Sequence, residues 1–195
     1  MAFSDTLAPV NTTRLVLRPP VISDLETLFE LYADPICNRF SAMGPPPSRE
    51  SSTALLTTWI EHWQAFGFGY WAIADREHPE VLLGFGGVMN KTAEGLTNLY
   101  LYFRFRSQAW GSGLASEMAL YSLGMAFQTL HQASVLALVM PANMPSRKTL
   151  ERIGMLLKGS LADVPGQPPI LVYELTAARF ATLPKTQPAP TPFGA

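Results

Sequence analysis

The sequence predicts a single-domain α/β protein, and three observations support this. The chain has 195 residues, 48% of them hydrophobic, which is enough to bury one sizeable core and favours one domain over two. Asn98–Phe105 is dense in aromatic residues and alternates loosely, as a half-buried strand does. Leu114, Met118, Tyr121 and Met125 then repeat at helical spacing. A strand that leads through a short turn into an amphipathic helix is typical of an α/β domain.

The N-terminal half contains two predicted helices. Ser23 with Glu26 three residues later forms a capping-box pair at the start of the first. Its apolar stripe consists of Leu25, Leu28, Phe29 and Tyr32. Gly44–Pro47 interrupts the chain before a second helix from about Arg49 to Gln64.

Two predicted strands follow this second helix. The aromatic segment Phe66–Trp71 leads into a strand that ends near Asp75, and Val81–Met89 forms the next strand. The aromatic segment also suggests an apolar wall for a substrate.

The turn Trp110–Ala115 is the most informative segment, because it places two glycines between the aromatic strand and the amphipathic helix. The first amides of a helix are unpaired and lie at its positive end, so an anion can bind there to backbone alone. Such turns also occur with no ligand, as ordinary strand-to-helix connections. The chain lacks the Lys-Ser ending of a P-loop and the dinucleotide-binding glycine pattern, which disfavours both of those ligand classes.

A second strand-turn-helix unit follows. Ser134–Met140 is an almost uninterrupted apolar run, which predicts a strand buried on both faces. Pro141–Ser146 ends it, and Lys148–Ile153 reads as a short helix closed by Gly154.

Composition and charge exclude several classes of function. The net charge of −1 gives no overall attraction to nucleic acid or anionic lipid, and no segment approaches the roughly 20 apolar residues that span a bilayer. The single cysteine, Cys37, fits a reducing compartment, and no cluster has metal-ligand spacing. Residues 1–11 and the proline-rich residues 184–195 are predicted to be flexible. We therefore expect a cytoplasmic protein without a metal, nucleic-acid or membrane partner, and we leave a homodimer open.

The order of these elements resembles the GNAT acetyltransferases, and most closely their RimJ/RimL-like branch of ribosomal-protein N-acetyltransferases. The family pattern is Arg or Gln, two residues, Gly, one residue, then Gly or Ala, and Trp110, Gly113 and Ala115 occupy its fixed positions. Tryptophan at the first position is familiar in this branch, although it removes a polar side chain from the loop. The resemblance covers most of residues 13–175. It also includes Thr13–Pro19, Ser23–Pro35, Leu83–Val88, Asn143–Ser146 and Leu150–Met155.

The resemblance implies a fold in which residues 12–183 form one GNAT domain. Its sheet is mixed and mostly antiparallel, splays apart between two central parallel strands, and carries helices on both faces. Acetyl-CoA, the implied co-substrate, lies in the gap between the parallel strands. The implied coenzyme-binding residues are Phe103, Phe105, Trp110, Gly111, Ser112, Gly113, Leu114, Ala115 and Asn143.

The same resemblance implies a catalytic role for Ser146, whose hydroxyl would lie near the coenzyme sulfur. The alternative is that Ser146 only caps the following helix. Many GNAT enzymes carry a tyrosine four residues later, where this chain has Leu150. Asn143 is expected to hold the coenzyme or the turn, since an amide has no proton to exchange at neutral pH.

The general base is not evident from the sequence. Relatives of the branch often carry a glutamate at the position of Tyr100. Glu94 lies in an apparent hairpin turn, and Glu117 is explained by a favourable interaction with the helix dipole. An ordinary surface role is expected for each of His62, His78 and His131.

The sequence therefore predicts an acetyl-CoA-dependent N-acetyltransferase. A primary amine, either a protein N-terminal α-amine or a small-molecule amine, would attack the thioester directly. The alternative is an acyl-CoA-binding module with little or no turnover, in a sensor or assembly role. Tyr100 and Leu150 favour this alternative, because relatives often carry ionisable groups there.

Overall fold

The computed structural model describes residues 9–40, 48–93, 96–161 and 169–184. The strands are β1 (Val10–Asn11), β2 (Leu15–Arg18), β3 (Tyr70–Asp75), β4 (Leu82–Ala93), β5 (Leu96–Phe105), β6 (Ser134–Val139), β7 (Leu156–Leu161) and β8 (Ile170–Thr176). The helices are α1 (Leu25–Ala33), α2 (Pro35–Asn38), α3 (Arg49–Phe66), α4 (Leu114–Gly124), α5 (Met144–Arg152) and α6 (Ala177–Thr182). Single 3₁₀ turns lie at Ile22–Asp24 and Ser107–Ala109, and a π-helical turn, Met125–Thr129, extends α4.

The described strands form one mixed sheet in the order β1-β2-β3-β4-β5-β6-β8-β7. All neighbouring pairs are antiparallel except β5 and β6 at the centre. These two parallel strands share a single register pair, Tyr100 with Leu136, whereas β4 and β5 stay paired from Gly84 and Phe105 to their connection. The prediction of a mostly antiparallel sheet with a central parallel pair that separates is confirmed.

Helices cover both faces of the sheet, as predicted. On one face α4 and its π-helical turn pack with α5 over a core that includes Leu15, Trp71, Met118 and Val135. On the other face α1 and α3 pack over a second core. Its buried members include Leu28, Leu56, Trp59, Tyr70 and Phe85. The side chains of β5 alternate between these layers, which brings α4 and the α1–α3 pair to opposite sides of the central gap.

The predicted capping box at Ser23 is wrong. Asp24 is the buried residue at this position, and its carboxylate accepts a hydrogen bond from the Val21 amide at 2.8 Å. The same carboxylate accepts two hydrogen bonds from the Arg18 guanidinium, at 2.6 and 2.8 Å. Glu26 forms an ion pair with Arg49 instead of closing a cap. The residue that precedes α1 is thus held by a partner six positions earlier, on β2.

The prediction that the apolar strand is buried on both faces is also wrong. In β6 the side chains of Val135, Ala137 and Val139 are buried, but Leu138 is 42% exposed. The helices of the second layer pack over β3 and β4, through contacts such as that between Trp59 and Phe85, and not over this end of the sheet. The sequence of β6 is therefore more apolar than its burial requires.

His62 is buried and not the surface residue that the sequence suggested. Its Nδ1 lies 2.7 Å from the carbonyl oxygen of Phe68, and its Nε2 accepts a hydrogen bond from the Asn90 amide at 3.2 Å. Because a carbonyl only accepts, Nδ1 carries the proton and the ring is neutral. Burial lowers the pKa of His62, and its hydrogen bond to Phe68 offsets only part of this effect. The ring connects α3 to both β4 and the segment before β3.

We expect the stability of the protein to fall as the pH drops below about 6.5, the ordinary pKa of an unfolded histidine. The folded pKa of His62 is lower than this value, so the unfolded state binds more protons in that range. Replacing His62 by alanine should lower the free energy of unfolding at pH 7.5 by about 2–4 kcal/mol, since two buried hydrogen-bonding groups lose their partner. It should also reduce the slope of stability against pH. Urea unfolding at several pH values measures both effects.

The exposed His78 provides the control for this experiment, because its replacement by alanine should leave the free energy of unfolding at pH 7.5 unchanged. An unchanged slope in the His62→Ala variant would contradict the assignment of the acid sensitivity to this ring.

Candidate active site

The glycine turn lies between β5 and α4 and leaves its outer side open. Gly111 and Gly113 have φ angles of +78° and +81°, in the left-handed region that favours glycine. A Cβ on Gly111 would meet no atom within 4 Å, and one on Gly113 would meet only Nη2 of Arg14 at 3.7 Å. Glycine is therefore required by the path of the chain and not by close packing. No side chain caps the first amides of α4, which begins directly after Gly113.

The end of β5 directs its main-chain groups into the gap. The carbonyl oxygen of Phe105 accepts a hydrogen bond from Nε1 of Trp110 at 2.8 Å, whereas the amide of Arg106 donates to Leu83 on the β4 side at 2.8 Å. The main-chain N–H and C=O groups of successive strand residues point in opposite directions. Those of Phe103 and Phe105 therefore both point away from β4 and toward the side where β6 diverges. This is the direction that pairing with an extended ligand requires.

Trp110 turns its indole back onto the strand. Besides its hydrogen bond to Phe105, the ring is 39% exposed and lies 5.6 Å from the guanidinium of Arg39. The tryptophan thus retains a polar function at the loop, but its N–H is directed at β5 and occupies the last carbonyl of that strand. Of the main-chain groups of Phe105 that face the gap, only the N–H is left for a ligand.

Glu117 is part of a buried network, so the helix-dipole interpretation of this residue is incomplete. Its carboxylate accepts hydrogen bonds at 2.7 Å from the Thr12 hydroxyl, the Arg14 amide and the Arg14 Nε. Burial alone would raise the pKa of Glu117, but these hydrogen bonds from Thr12 and Arg14 outweigh it and hold the pKa below its ordinary value. Arg14 also donates from Nη1 to the carbonyl oxygen of Ser112 at 2.7 Å. The connection from β1 to β2 therefore holds both α4 and the glycine turn through Arg14.

Asn143, and not Ser146, caps α5. Its Oδ1 accepts a hydrogen bond from the Ser146 amide at 3.2 Å, which places Ser146 inside the first turn of the helix. The alternative of Ser146 as the cap is thus wrong. Among the described residues the Ser146 hydroxyl makes no hydrogen bond, and the side chain is partly buried. Leu150, one turn later, is a buried core residue.

A cluster of tyrosines lies on the α1–α3 face of the sheet. The hydroxyls of Tyr32 and Tyr102 lie 2.6 Å apart, and the ring of Tyr70 is 5.0 Å from that of Tyr102. Arg104 lies over the ring of Tyr32 at 4.1 Å and donates a hydrogen bond to Asn38. Burial raises the pKa of Tyr32, Tyr70 and Tyr102 above its ordinary value. Tyr32 and Tyr102 thus share a hydrogen bond as neutral phenols, whereas the buried Tyr70 hydroxyl has no hydrogen-bond partner among the described residues.

The remaining titratable candidates from the sequence lie elsewhere. His131, with a positive φ of 51°, and His78 are exposed, while Glu94 lies outside the described residues. Cys37 donates from its thiol to Asp34, and burial is the main cause that raises the pKa of Cys37 to about 11. It is a protonated thiol under physiological conditions and not an activated nucleophile.

The described ranges contain neither a metal-binding cluster nor a membrane-spanning helix. Across residues 9–40, 48–93, 96–161 and 169–184, histidine, cysteine and carboxylate side chains form no group of three placed to hold a metal ion. Within the same ranges, no helix combines the length and apolar character needed to cross a bilayer.

Sequence reasoning missed Arg14 and the tyrosine pair. Arg14 acts on a residue that follows it by 103 positions, and Tyr32 and Tyr102 are 70 positions apart. Alternation in β5 could have assigned Tyr100, Tyr102 and Arg104 to one face, but no pattern in the sequence specifies which helix covers that face.

In the acetyl-CoA-dependent acetyltransferases, two central parallel strands separate from each other, and a glycine turn lies where the gap between them opens. This chain has the same architecture. The family model described as "Acetyltransferase (GNAT) domain" matches residues 14–156. The chain belongs to this family and is a GNAT acetyltransferase. Members of the family transfer an acetyl group from acetyl-CoA to an amine.

The chain is also similar to individual proteins and solved structures. The chain is 28% identical to the uncharacterized protein YkkB of Bacillus subtilis (strain 168) over 166 residues, 84% of this chain and 92% of that protein. It is similar to the crystal structure of an acetyltransferase from Agrobacterium tumefaciens str. C58, with 26% identity and a TM-score of 0.71 over 90% of this chain and 98% of that one. It shares the fold of the ribosomal-protein-S5-alanine acetyltransferase from Vibrio fischeri, with 16% identity and a TM-score of 0.68 over 89% and 98% of the two chains.

Proposed function

We propose that this protein acetylates a primary amine by direct attack on acetyl-CoA bound between β5 and β6. The observation that carries the proposal is the single register pair between these strands, Tyr100 with Leu136, next to a glycine turn after which α4 begins without a side-chain cap. A gap of this kind accepts an extended ligand as an added strand, and the turn accepts a diphosphate.

Different residues of the site would bind different parts of acetyl-CoA. The amides from Gly111 to Ala115 bind the diphosphate, with Trp110 at the entrance of the loop. The N–H groups of Phe103 and Phe105 bind the pantetheine arm, and Asn143 holds the turn before α5 by capping it. The first turn of α5 thus presents the Ser146 hydroxyl, which is free among the described side chains, to the sulfur.

Acetyl-CoA supplies an acetyl group activated as a thioester. When the amine nitrogen attacks, a C–N bond forms, the C–S bond breaks, and the electron pair leaves on sulfur as a thiolate. Ser146 can donate a hydrogen bond to this thiolate, which lowers the barrier to its departure. The proton released by the attacking nitrogen must be taken by another group.

The acceptor that fits these residues best is an amine with a low pKa, such as a protein N-terminal α-amine. The branch usually carries glutamate where this chain has Tyr100, and the phenols on the same side remain protonated. At pH 7 about a tenth of α-amino groups, with a pKa near 7.7–8.0, is already neutral, against fewer than about one in a thousand lysine-type amines. An acceptor that arrives neutral needs only water as the final base. We therefore propose membership of the RimJ/RimL-like branch, and keep small amines as the second acceptor class.

Two measurements test the proposal. Isothermal titration should detect acetyl-CoA binding, and absence of heat at millimolar ligand would refute it. A screen with labelled acetyl-CoA should then find faster transfer to peptide α-amines than to polyamines or lysine side chains. The rate should follow the neutral fraction of the acceptor as the pH rises. A plateau well below the pKa of the acceptor would instead indicate a base on the enzyme.

The second candidate is an acyl-CoA-binding module with little turnover. It is favoured by the burial of Leu150 in the core, where many relatives place the tyrosine that protonates the thiolate. Release of free CoA in the presence of peptides and amines separates the two functions, because a sensor would bind the thioester and leave it intact.

The proposal also covers the cellular location and the oligomeric state of the protein. We propose a cytoplasmic protein with no nucleic-acid or membrane partner, and a homodimer as the assembly to test first. The exposed leucines of the edge strand β7, Leu156, Leu157 and Leu161, support self-association through this edge. Light scattering after size-exclusion chromatography measures the oligomeric state.

A further inference from the structure

The guanidinium of Arg14 joins α4 to the glycine turn. Its Nε is ion-paired with Glu117 at 2.7 Å, and its Nη1 donates to the carbonyl of Ser112 at 2.7 Å. Its Nη2 has no partner among the described residues and lies 3.7 Å from the position that a Cβ of Gly113 would take. Arg14 is 46% exposed, whereas Glu117 is only 6% exposed. One edge of the guanidinium is thus fixed on a buried carboxylate, and the other faces the open side of the glycine turn.

The position of Glu117 is a problem for a site that binds a diphosphate. A carboxylate in the first turn of α4 benefits from the positive end of the helix, but it also repels a second anion at the same end. Because Glu117 is buried, solvent screens this repulsion poorly. A positive charge between the carboxylate and the loop removes the conflict, and Arg14 occupies this position.

We infer that Arg14 is a binding residue for the diphosphate of acetyl-CoA. It neutralises Glu117, holds the Ser112 carbonyl so that the loop amides face outward, and offers the N–H groups of Nη2 to the phosphate oxygens. This inference rests on the proposed function, since it specifies how the same coenzyme loop recognises its ligand.

The test compares the wild-type protein with Arg14→Gln, Glu117→Gln and the double variant by calorimetric titration of acetyl-CoA. Arg14→Gln should weaken binding about ten- to thirtyfold, because a charge-assisted hydrogen bond is lost and Glu117 is left unpaired. The double variant should bind at least about threefold more tightly than Arg14→Gln, because the repelling charge is gone. A merely structural role predicts no such recovery, since both substitutions break the same support.

Ligand truncation provides the second readout. S-acetylpantetheine lacks the diphosphate, so its competition against acetyl-CoA should give the same affinity for Arg14→Gln and the wild type. Acetyl-3′-dephospho-CoA keeps the diphosphate. Its affinity for Arg14→Gln, relative to the wild type, should therefore fall by the same factor as that of acetyl-CoA. Arg14→Gln leaves the Glu117 carboxylate without its ion-pair partner. If this variant unfolds for that reason, the double variant, which lacks that carboxylate, replaces it in both comparisons with the wild type.

Arg76→Gln is the matched control, because Arg76 also donates to the β1–β2 connection, at the Thr12 carbonyl, without a contact to the glycine turn. It should bind acetyl-CoA like the wild type. Unchanged binding in Arg14→Gln, equal loss for the truncated ligand, or no recovery in the double variant would each overturn the inference. Failure of the proposed function is distinguishable, because the wild-type protein itself would then not bind acetyl-CoA.

Discussion

Replacing Gly113 by valine should weaken acetyl-CoA binding at least about 100-fold, or about 2.7 kcal/mol, without unfolding the protein. At a φ of +81° a β-branched residue is strained by about 1–3 kcal/mol, so the turn would relax and turn its amides away from the ligand. Its methyl groups would also lie beside Nη2 of Arg14, on the side from which the phosphates approach. Calorimetric titration measures the affinity, and circular dichroism with thermal unfolding verifies the fold.

Gly67→Val is the control for backbone strain. Gly67 has a similar φ of +73° and no atom within 4 Å of its built Cβ, but it ends α3, away from the coenzyme loop. This variant should lose a comparable amount of stability and retain its affinity. If Gly113→Val bound acetyl-CoA like the wild type, the glycine turn would not be the diphosphate site.

Replacing Ser146 by alanine should lower kcat about 10- to 100-fold and change the Kd of acetyl-CoA by less than about twofold. The hydroxyl is proposed to stabilise the departing thiolate, a charge that exists only after attack begins. Because Asn143 supplies the cap of α5, the alanine variant should keep the stability of the helix. Steady-state kinetics with the acceptor found in the screen, together with titration of acetyl-CoA, separates the two parameters.

Thr149→Ala is the matched control on the same helix. The Thr149 hydroxyl donates to the Pro145 carbonyl at 3.1 Å, so its loss removes a local hydrogen bond only. Turnover should stay near the wild-type value. Equal losses of kcat and affinity in Ser146→Ala would refute the role at the thiol and leave a local structural effect.

The elements that sequence reasoning predicted well are those with strong local patterns. The aromatic alternation before Phe105, the two glycines and the helical repeat after Leu114 are contained within about 30 residues, and the structure reproduces them as β5, the turn and α4. The fold follows from this order together with the later strand-turn-helix unit.

What the sequence could not specify depends on contacts between distant segments. The burial of His62 follows from where Phe68 and Asn90 place their main-chain groups, and that of Glu117 from an arginine on another strand. Ser146 was a candidate cap because the sequence predicts this helix from Lys148, whereas α5 begins at Met144, and helix boundaries are what sequence patterns resolve worst. The faces of β6 were misjudged because a uniformly apolar run carries no alternation to read.

The divergence of β5 from β6 has a consequence for handling the protein. Beyond Tyr100, β5 has a strand partner only on its β4 side within the part of the chain that the structure describes, so its other edge is open. Open edges recruit extended segments of other chains and promote aggregation, and the indole of Trp110 covers only the last carbonyl of this one. Acetyl-CoA or CoA in purification and storage buffers should therefore occupy this edge and slow aggregation during storage. Either ligand should also stabilise the fold by mass action.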